Sequence, residues 1–277
     1  MSRFLSSLAL ASVLLTSNAG ADNLSVKGVF KQGGLVAIKY NEAKTKSITV
    51  NDKSIVLDGD GFEYYPISKD ALKLVVKHTF KNGTVRVTKF DVENREYKVQ
   101  HVKGVKKKHV TPDPKHLARI GKESAEIKES RRSNDIKYFD TLIPSFIQPS
   151  EGVVTGVYGS SRTYNGVERS WHKGIDFANK EGTPIVAPLK GKVVLAMKDS
   201  YFNGNLVIID HGKKIYSIYA HMYDIIAQKG DILEVGDPVG LVGTTGRSTG
   251  PHLHWGVYVG QQAIEPEFLL KDFKKDK

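Results

Sequence analysis

The chain has 277 residues, 41 Lys and Arg against 30 Asp and Glu, a net charge of +11 and no cysteine. That length holds two modest domains. The absence of cysteine excludes disulfides, a thiol nucleophile and a lipid-modified cysteine anchor, so stability rests on the core and on any bound metal.

Arg3 precedes the largely apolar run from Phe4 to Leu15, and small residues follow at Ala19 and Ala21. This is the pattern of a signal peptide over residues 1–21, and the apolar run is too short to span a bilayer comfortably. Residues 22–103 alternate apolar and polar positions as strands do. Leu24–Phe30 and Leu35–Tyr40 flank the turn at Gln32 to Gly34, and further runs lie at Ser47–Val50, Lys53–Leu57, Leu72–Val76 and Thr84–Thr88. Short strands at this spacing predict a small β-sandwich-like accessory domain with no catalytic constellation.

Residues 104–140 read differently. Lys106 to Lys108 and the Pro112 to Pro114 segment mark a linker, and Leu117–Arg132 is charged and predicted helical. A sharper reading lays this arm across a groove in the following domain as a latency segment. Lys and Arg exceed Asp and Glu by 15 to 10 over residues 22–103 and by 10 to 6 over 104–140, but only by 15 to 14 over 141–277. The basic excess predicts contact with an anionic wall or membrane surface through residues 22–140. A nucleic-acid partner is not expected, because no aromatic-basic recognition motif accompanies the charge.

From 141 to 277 the chain is strand-rich again, with Val153–Tyr158, Ile185–Ala187, Gly191–Leu195, Leu206–Ile209 and Lys214–Tyr219 separated by Gly and Pro. The prediction is an antiparallel β domain, and hence a mostly β chain overall. The segments Pro184–Val193 and Gly230–Gly240 also suggest a biotinyl carrier, with Ala196, Met197 and Lys198 as its tripeptide. There, however, the tripeptide should follow the Gly-Asp segment, and here it precedes it.

The chemistry concentrates in a few residues. His252 and His254 are spaced i, i+2, so on a strand both enter the same side. His172 and Asp176 are four apart and share a face on either a helix or a strand, and Gly174 and Pro184 argue against a helix. His221 ends the run from Ile218. His172, Asp176 and His254 are assigned as three metal ligands of an open zinc site, with His221 and His252 left to handle protons and charge. His78, His101, His109, His116 and His211 read as surface or satisfied core residues.

His172 with Asp176, the run Tyr219 to His221, and the glycine-rich stretch Gly246 to Trp255 together resemble the LytM/lysostaphin-type zinc metallopeptidases, over roughly residues 145–270. That resemblance implies hydrolysis of amide bonds in peptidoglycan stem peptides or cross-links. It implies Zn²⁺ on His172, Asp176 and His254, and catalytic roles for His221 and His252. The expected location is the periplasm rather than the extracellular space. The alternative is a non-enzymatic wall-binding regulator of another hydrolase.

Overall fold

A computed structural model describes residues 24–132 and 142–271. The expected signal segment lies outside the described residues. Among the described residues strands far outnumber helices, as the alternation predicts.

The N-terminal part is two packed sheets. Ser25–Gly28, Leu35–Lys39 and Phe62–Pro66 form one, antiparallel throughout. Lys53–Ser54, Thr45–Val50, Lys73–Phe80 and Val85–Asp91 form the other. Between them Val36 and Ile38 meet Ile48, Leu74 and Val76 in one buried cluster. Side chains alternate along a strand, so Leu35 and Ala37 face the opposite way. There, with Tyr64, they join the core of the C-terminal sheet, alongside Phe177, Val207, Trp255 and Ile264. The strand Leu35–Lys39 thus belongs to two cores, and the accessory half is packed onto the C-terminal half.

Charges reinforce that junction. The Lys213 Nζ lies 2.9 and 2.7 Å from the Asp58 carboxylate oxygens, donates to the Phe62 carbonyl at 2.8 Å, and sits 4.3 Å from the Phe62 ring centroid. Arg95 pairs with the buried Glu265 at 2.8 Å.

The C-terminal part is organised by an eight-stranded antiparallel sheet. In spatial order it runs Ile232–Leu233, Gly191–Ser200, Gly204–Asp210, Ile215–Met222, His252–Val259, Ile175–Ala178 and Val153–Gly156, with Gln262–Ile264 paired to the His252–Val259 strand. Both faces are covered. Val207 and Ile209 point into the core shared with Leu35, while Leu206 and Ile208 join Tyr216, Ile218, Ala220 and Tyr258 on the other face.

The segment between the halves is more structured than a linker. Val99–Val102 pairs in parallel with Ser161–Tyr164, which pairs antiparallel with Val167–Arg169. This small sheet crosses the expected boundary at 103. The helix Leu117–Glu129 buries none of its residues, as its charged sequence predicts. Ile127, partly buried, packs against the cluster around Tyr216 and Tyr258, and polar contacts add to this: Glu123 accepts from the Tyr201 backbone N–H at 2.8 Å, and Arg119 pairs with Asp199. Arg131 caps the Tyr258 ring at 4.1 Å.

His211 is fully buried, as the core alternative of its sequence reading has it. Its Nδ1 lies 2.9 Å from the Lys190 carbonyl, and its Nε2 is 2.7 Å from Ser217 Oγ, which in turn meets Tyr219 OH at 2.8 Å. Burial pulls its pKa down to about 4. The unfolded chain therefore takes up a proton near pH 6.5 that the folded chain refuses until about pH 4, and stability falls with pH across that window. The effect amounts to about 3 kcal/mol for such a group. The melting temperature is expected to drop between pH 6.5 and 4, and His211→Asn should flatten that slope. A slope unchanged in the variant would remove His211 as its source.

Candidate active site

Strand register places the ligand candidates. Asp176 lies directly opposite His254, and His254 directly opposite Ala220, across three neighbouring strands. Opposed residues share a face of the sheet, so Asp176 and His254 emerge together on the side of Tyr216, Ile218 and Tyr258. His252, two residues before His254, emerges there too. His221 follows Ala220 and by simple alternation would point into the opposite core. Its backbone has a left-handed φ of 65°, which breaks the alternation and returns its ring to the cleft. A histidine in that region is uncommon and costs on the order of 1–3 kcal/mol. His172 differs from the strand geometry expected of a pair with Asp176: it lies in the loop before Ile175–Ala178. Its backbone N–H donates to the Ser160 carbonyl at 2.8 Å and holds that loop in place.

All five residues line one cleft of about 520 Å³. His172 Nε2, Asp176 Oδ1 and His254 Nδ1 form a triangle with sides of 2.9, 2.9 and 2.8 Å. Three donors this close together, two imidazole nitrogens and a carboxylate oxygen, would hold one metal ion. The far nitrogen of His172 is 3.0 Å from the Val157 carbonyl. That acceptor puts the proton on Nδ1 and leaves the Nε2 lone pair aimed into the triangle. His221 and His252 follow the same rule. Their Nδ1 atoms each lie 2.9 Å from a carbonyl, of Thr245 and Gly250 respectively, which leaves both Nε2 atoms free to accept a proton. Their rings are 4.9 Å apart. The donor set and the paired backbone acceptors fit a metal centre with two proton-handling groups beside it.

The electrostatics agree. Burial alone would raise the pKa of Asp176, but the charge and hydrogen bonds of His172 and His254 outweigh it and hold the carboxyl well below its usual range. Burial draws His172 down to about 4 against the pull of Asp176. Burial, with His252 and His254 nearby, takes His221 well below its ordinary value. At neutral pH the site therefore offers an ionised carboxylate in Asp176 and unprotonated imidazoles in His172 and His221.

Two contributors have no local signature in the sequence. Arg162 donates to Asp176 Oδ2 at 2.5 Å, so the carboxylate presents Oδ1 to the imidazoles and Oδ2 to a guanidinium. Gln100, on the parallel strand Val99–Val102, accepts from Arg162 Nε at 3.0 Å and from Ser160 Oγ at 3.1 Å. Parallel pairing of residues 62 positions apart brings these groups together, and no short-range pattern signals it. Among the described residues of the expected linker, Val105 lines the cleft and the helix Leu117–Glu129 does not.

Residues 170–266 match the model of peptidase family M23. That stretch carries all five candidate residues of the cleft and is similar to an M23 peptidase domain. An uncharacterized metalloprotease of Haemophilus influenzae is 35% identical over 95 residues, which cover 34% of this chain and 20% of that protein. Peptidoglycan DD-endopeptidase ShyB of Vibrio cholerae is 37% identical over 94 residues, covering 34% of this chain and 22% of that protein. The chain therefore spans only a small part of the length of these curated relatives. A Pseudomonas aeruginosa crystal structure assigned to peptidase M23 aligns with 88% of this chain and 96% of its own, at 24% identity and a TM-score of 0.63. It shows that the fold of the M23 domain and of the region before it recurs together.

The cleft has little room around Asp176. A Cβ on Gly156, directly opposite in the neighbouring strand, would lie 2.1 Å from Asp176 Oδ2 and 2.6 Å from Arg162 Nη2. Gly156→Ala must therefore displace the carboxylate from its guanidinium partner. Metal affinity is expected to fall about 10- to 100-fold, the usual effect of disturbing what orients a ligand. Competition with a chelator measures this, and unchanged affinity would mean that the Arg162 contact does not set the ligand.

Proposed function

We propose that the chain is an exported, zinc-dependent peptidoglycan endopeptidase that hydrolyses amide bonds in stem peptides or cross-links. The observation that carries this reading is the convergence of His172, Asp176 and His254 with two imidazoles whose Nε2 atoms are free, all in one cleft of an M23 domain. Two imidazoles and one carboxylate, with no thiolate, suit zinc. The V. cholerae relative is a peptidoglycan DD-endopeptidase by name, which supports the substrate class. The signal-like residues 1–21 support export, with the periplasm as the location.

Bound zinc supplies Lewis acidity toward the attacking water and the scissile carbonyl. The protein does the rest. His172, Asp176 and His254 hold the ion, and Arg162 fixes which oxygen of Asp176 is offered. His221 and His252 stand beside them, each with Nδ1 against a backbone carbonyl and Nε2 toward the cleft. One takes the proton of the attacking water, and a protonated imidazole returns it to the leaving amine. Backbone carbonyls of Thr245 and Gly250 keep both rings in the tautomer this requires.

Two outcomes follow. Alanine at His172, Asp176 or His254 should strip zinc from the purified protein. Alanine at His221 or His252 should leave zinc bound and lower turnover about 10²- to 10⁴-fold. Metal analysis and fragment release from purified sacculi read the two separately. A zinc-loaded wild-type chain that releases no fragments would favour the non-enzymatic regulator.

The basic excess of residues 22–140 supports docking on an anionic wall or membrane surface. Sacculus binding by the full chain should then weaken with salt, because the screening length shrinks from about 8 Å at physiological ionic strength to about 3 Å at 1 M. Hydrolysis of a small soluble peptide should change far less. Sacculus binding that is indifferent to salt would remove the targeting role.

A further inference from the structure

The cleft holds more positive charge than holding a metal requires. Its charged lining residues are Asp176, Arg162, Lys173 and Arg247. Asp176 and Arg162 neutralise each other at 2.5 Å. Arg247 has no carboxylate within ion-pairing distance among the described residues. Its guanidinium carbon lies 4.7 Å from the centroid of the Tyr164 ring and 4.5 Å from that of Phe202. Desolvation lowers its pKa; Tyr164 opposes this, and the nearby positive charges of Arg162 and Arg169 add to it.

Such a placement is unfavourable for a cation unless something offsets it. Aromatic faces return about 0.5–2 kcal/mol each, less than a counter-ion would. The backbone nevertheless holds the residue there. The Arg247 N–H donates to the Phe202 carbonyl at 2.8 Å. Gly246 before it has φ 67°, and a Cβ there would lie 2.3 Å from the Gly204 nitrogen and 2.6 Å from the Phe202 oxygen. The same loop continues into His252, so the guanidinium is tied to the group expected to move the proton. A guanidinium is planar and presents paired donors that match a carboxylate. The missing counter-ion has the chemistry of a substrate group.

We propose that Arg247 is a specificity-determining residue that binds a carboxylate carried by the peptide beside the scissile amide. This rests on the peptidase reading and narrows its substrate to anionic peptides, with the carboxylate seated between the metal ligands and the Tyr164–Phe202 pair. Lys173, at the same cleft and without a carboxylate in ion-pairing range among the described residues, adds to the field without the planar match.

The test uses the full chain loaded with zinc and two synthetic peptides. They share one scissile amide and differ only in a free α-carboxylate or a carboxamide next to it. The wild-type ratio of kcat/KM, carboxylate over carboxamide, is expected at about 10 to 100, the effect of a hydrogen-bonded charge pair. Arg247→Met should bring the ratio close to one, and Arg247→Lys should keep part of it. A role confined to clamping Tyr164 and Phe202 would lower both substrates together and leave the ratio intact, which would overturn the proposal. A wild-type ratio of one would overturn it as well. If the wild type turns over neither peptide, the peptidase reading fails by itself. Calorimetric binding of the same peptides to wild type and Arg247→Met then decides the carboxylate anchor, and equal dissociation constants for the two peptides in the wild type would refute it.

Discussion

A buried carboxylate keeps its charge only when every lone pair has a partner, and Asp176 is the point at which this structure meets that requirement. One oxygen faces two imidazoles and the other faces Arg162. Everything nearby follows from those demands. Gly156 has no side chain because the carboxylate and the guanidinium fill that space. Ser161–Tyr164 needs a pairing partner to aim Arg162, and Val99–Val102 supplies it along with Gln100. The cleft is thus completed by two strands that lie outside residues 170–266, the stretch that matches peptidase family M23.

The histidines show a second economy. Four of the buried or half-buried rings, His172, His211, His221 and His252, each place Nδ1 against a backbone carbonyl. The difference lies in what Nε2 meets. In His211 it is closed off by Ser217 and serves packing. In the other three it opens on the cleft. Backbone geometry therefore fixes the tautomer in both cases, and access alone separates a core histidine from a chemical one.

The local patterns in the sequence are a good guide to strands that pair with near neighbours, and the fold brings the five candidate residues to one cleft. The i, i+2 spacing placed His252 and His254 on one face because a strand of this sheet does carry them. Local pattern was silent where pairing is long-range. Phe62–Pro66 follows a run of Gly and Asp and ends in proline, so it carries no clean alternation, yet it completes the sheet shared between both cores. The parallel match of Val99–Val102 with Ser161–Tyr164 cannot be seen from either segment alone, and with it went Gln100 and Arg162. His172 sits off the strand that spacing suggested, because its role needs only one ring nitrogen in place and a loop held by Ser160 suffices. Arg247 lies inside a motif of glycines and histidines, and no local pattern sets it apart. What marks it is that no carboxylate among the described residues pairs with it, which only the packed structure can reveal.

The strand Leu35–Lys39, with one face in each core, has a consequence for biogenesis. The N-terminal half leaves the ribosome first. Val36 and Ile38 can bury themselves at once against Ile48 and Leu74, because those partners are close behind. Leu35, Ala37 and Tyr64 cannot: Phe177, Val207 and Trp255 come more than a hundred residues later. Until then the early sheet presents an apolar flank with no cover, the kind of surface on which nascent chains associate or recruit chaperones. Newly made molecules are therefore most vulnerable in the interval between the first half and the last strands. A chain cut short before Trp255 is left sticky as well as inactive.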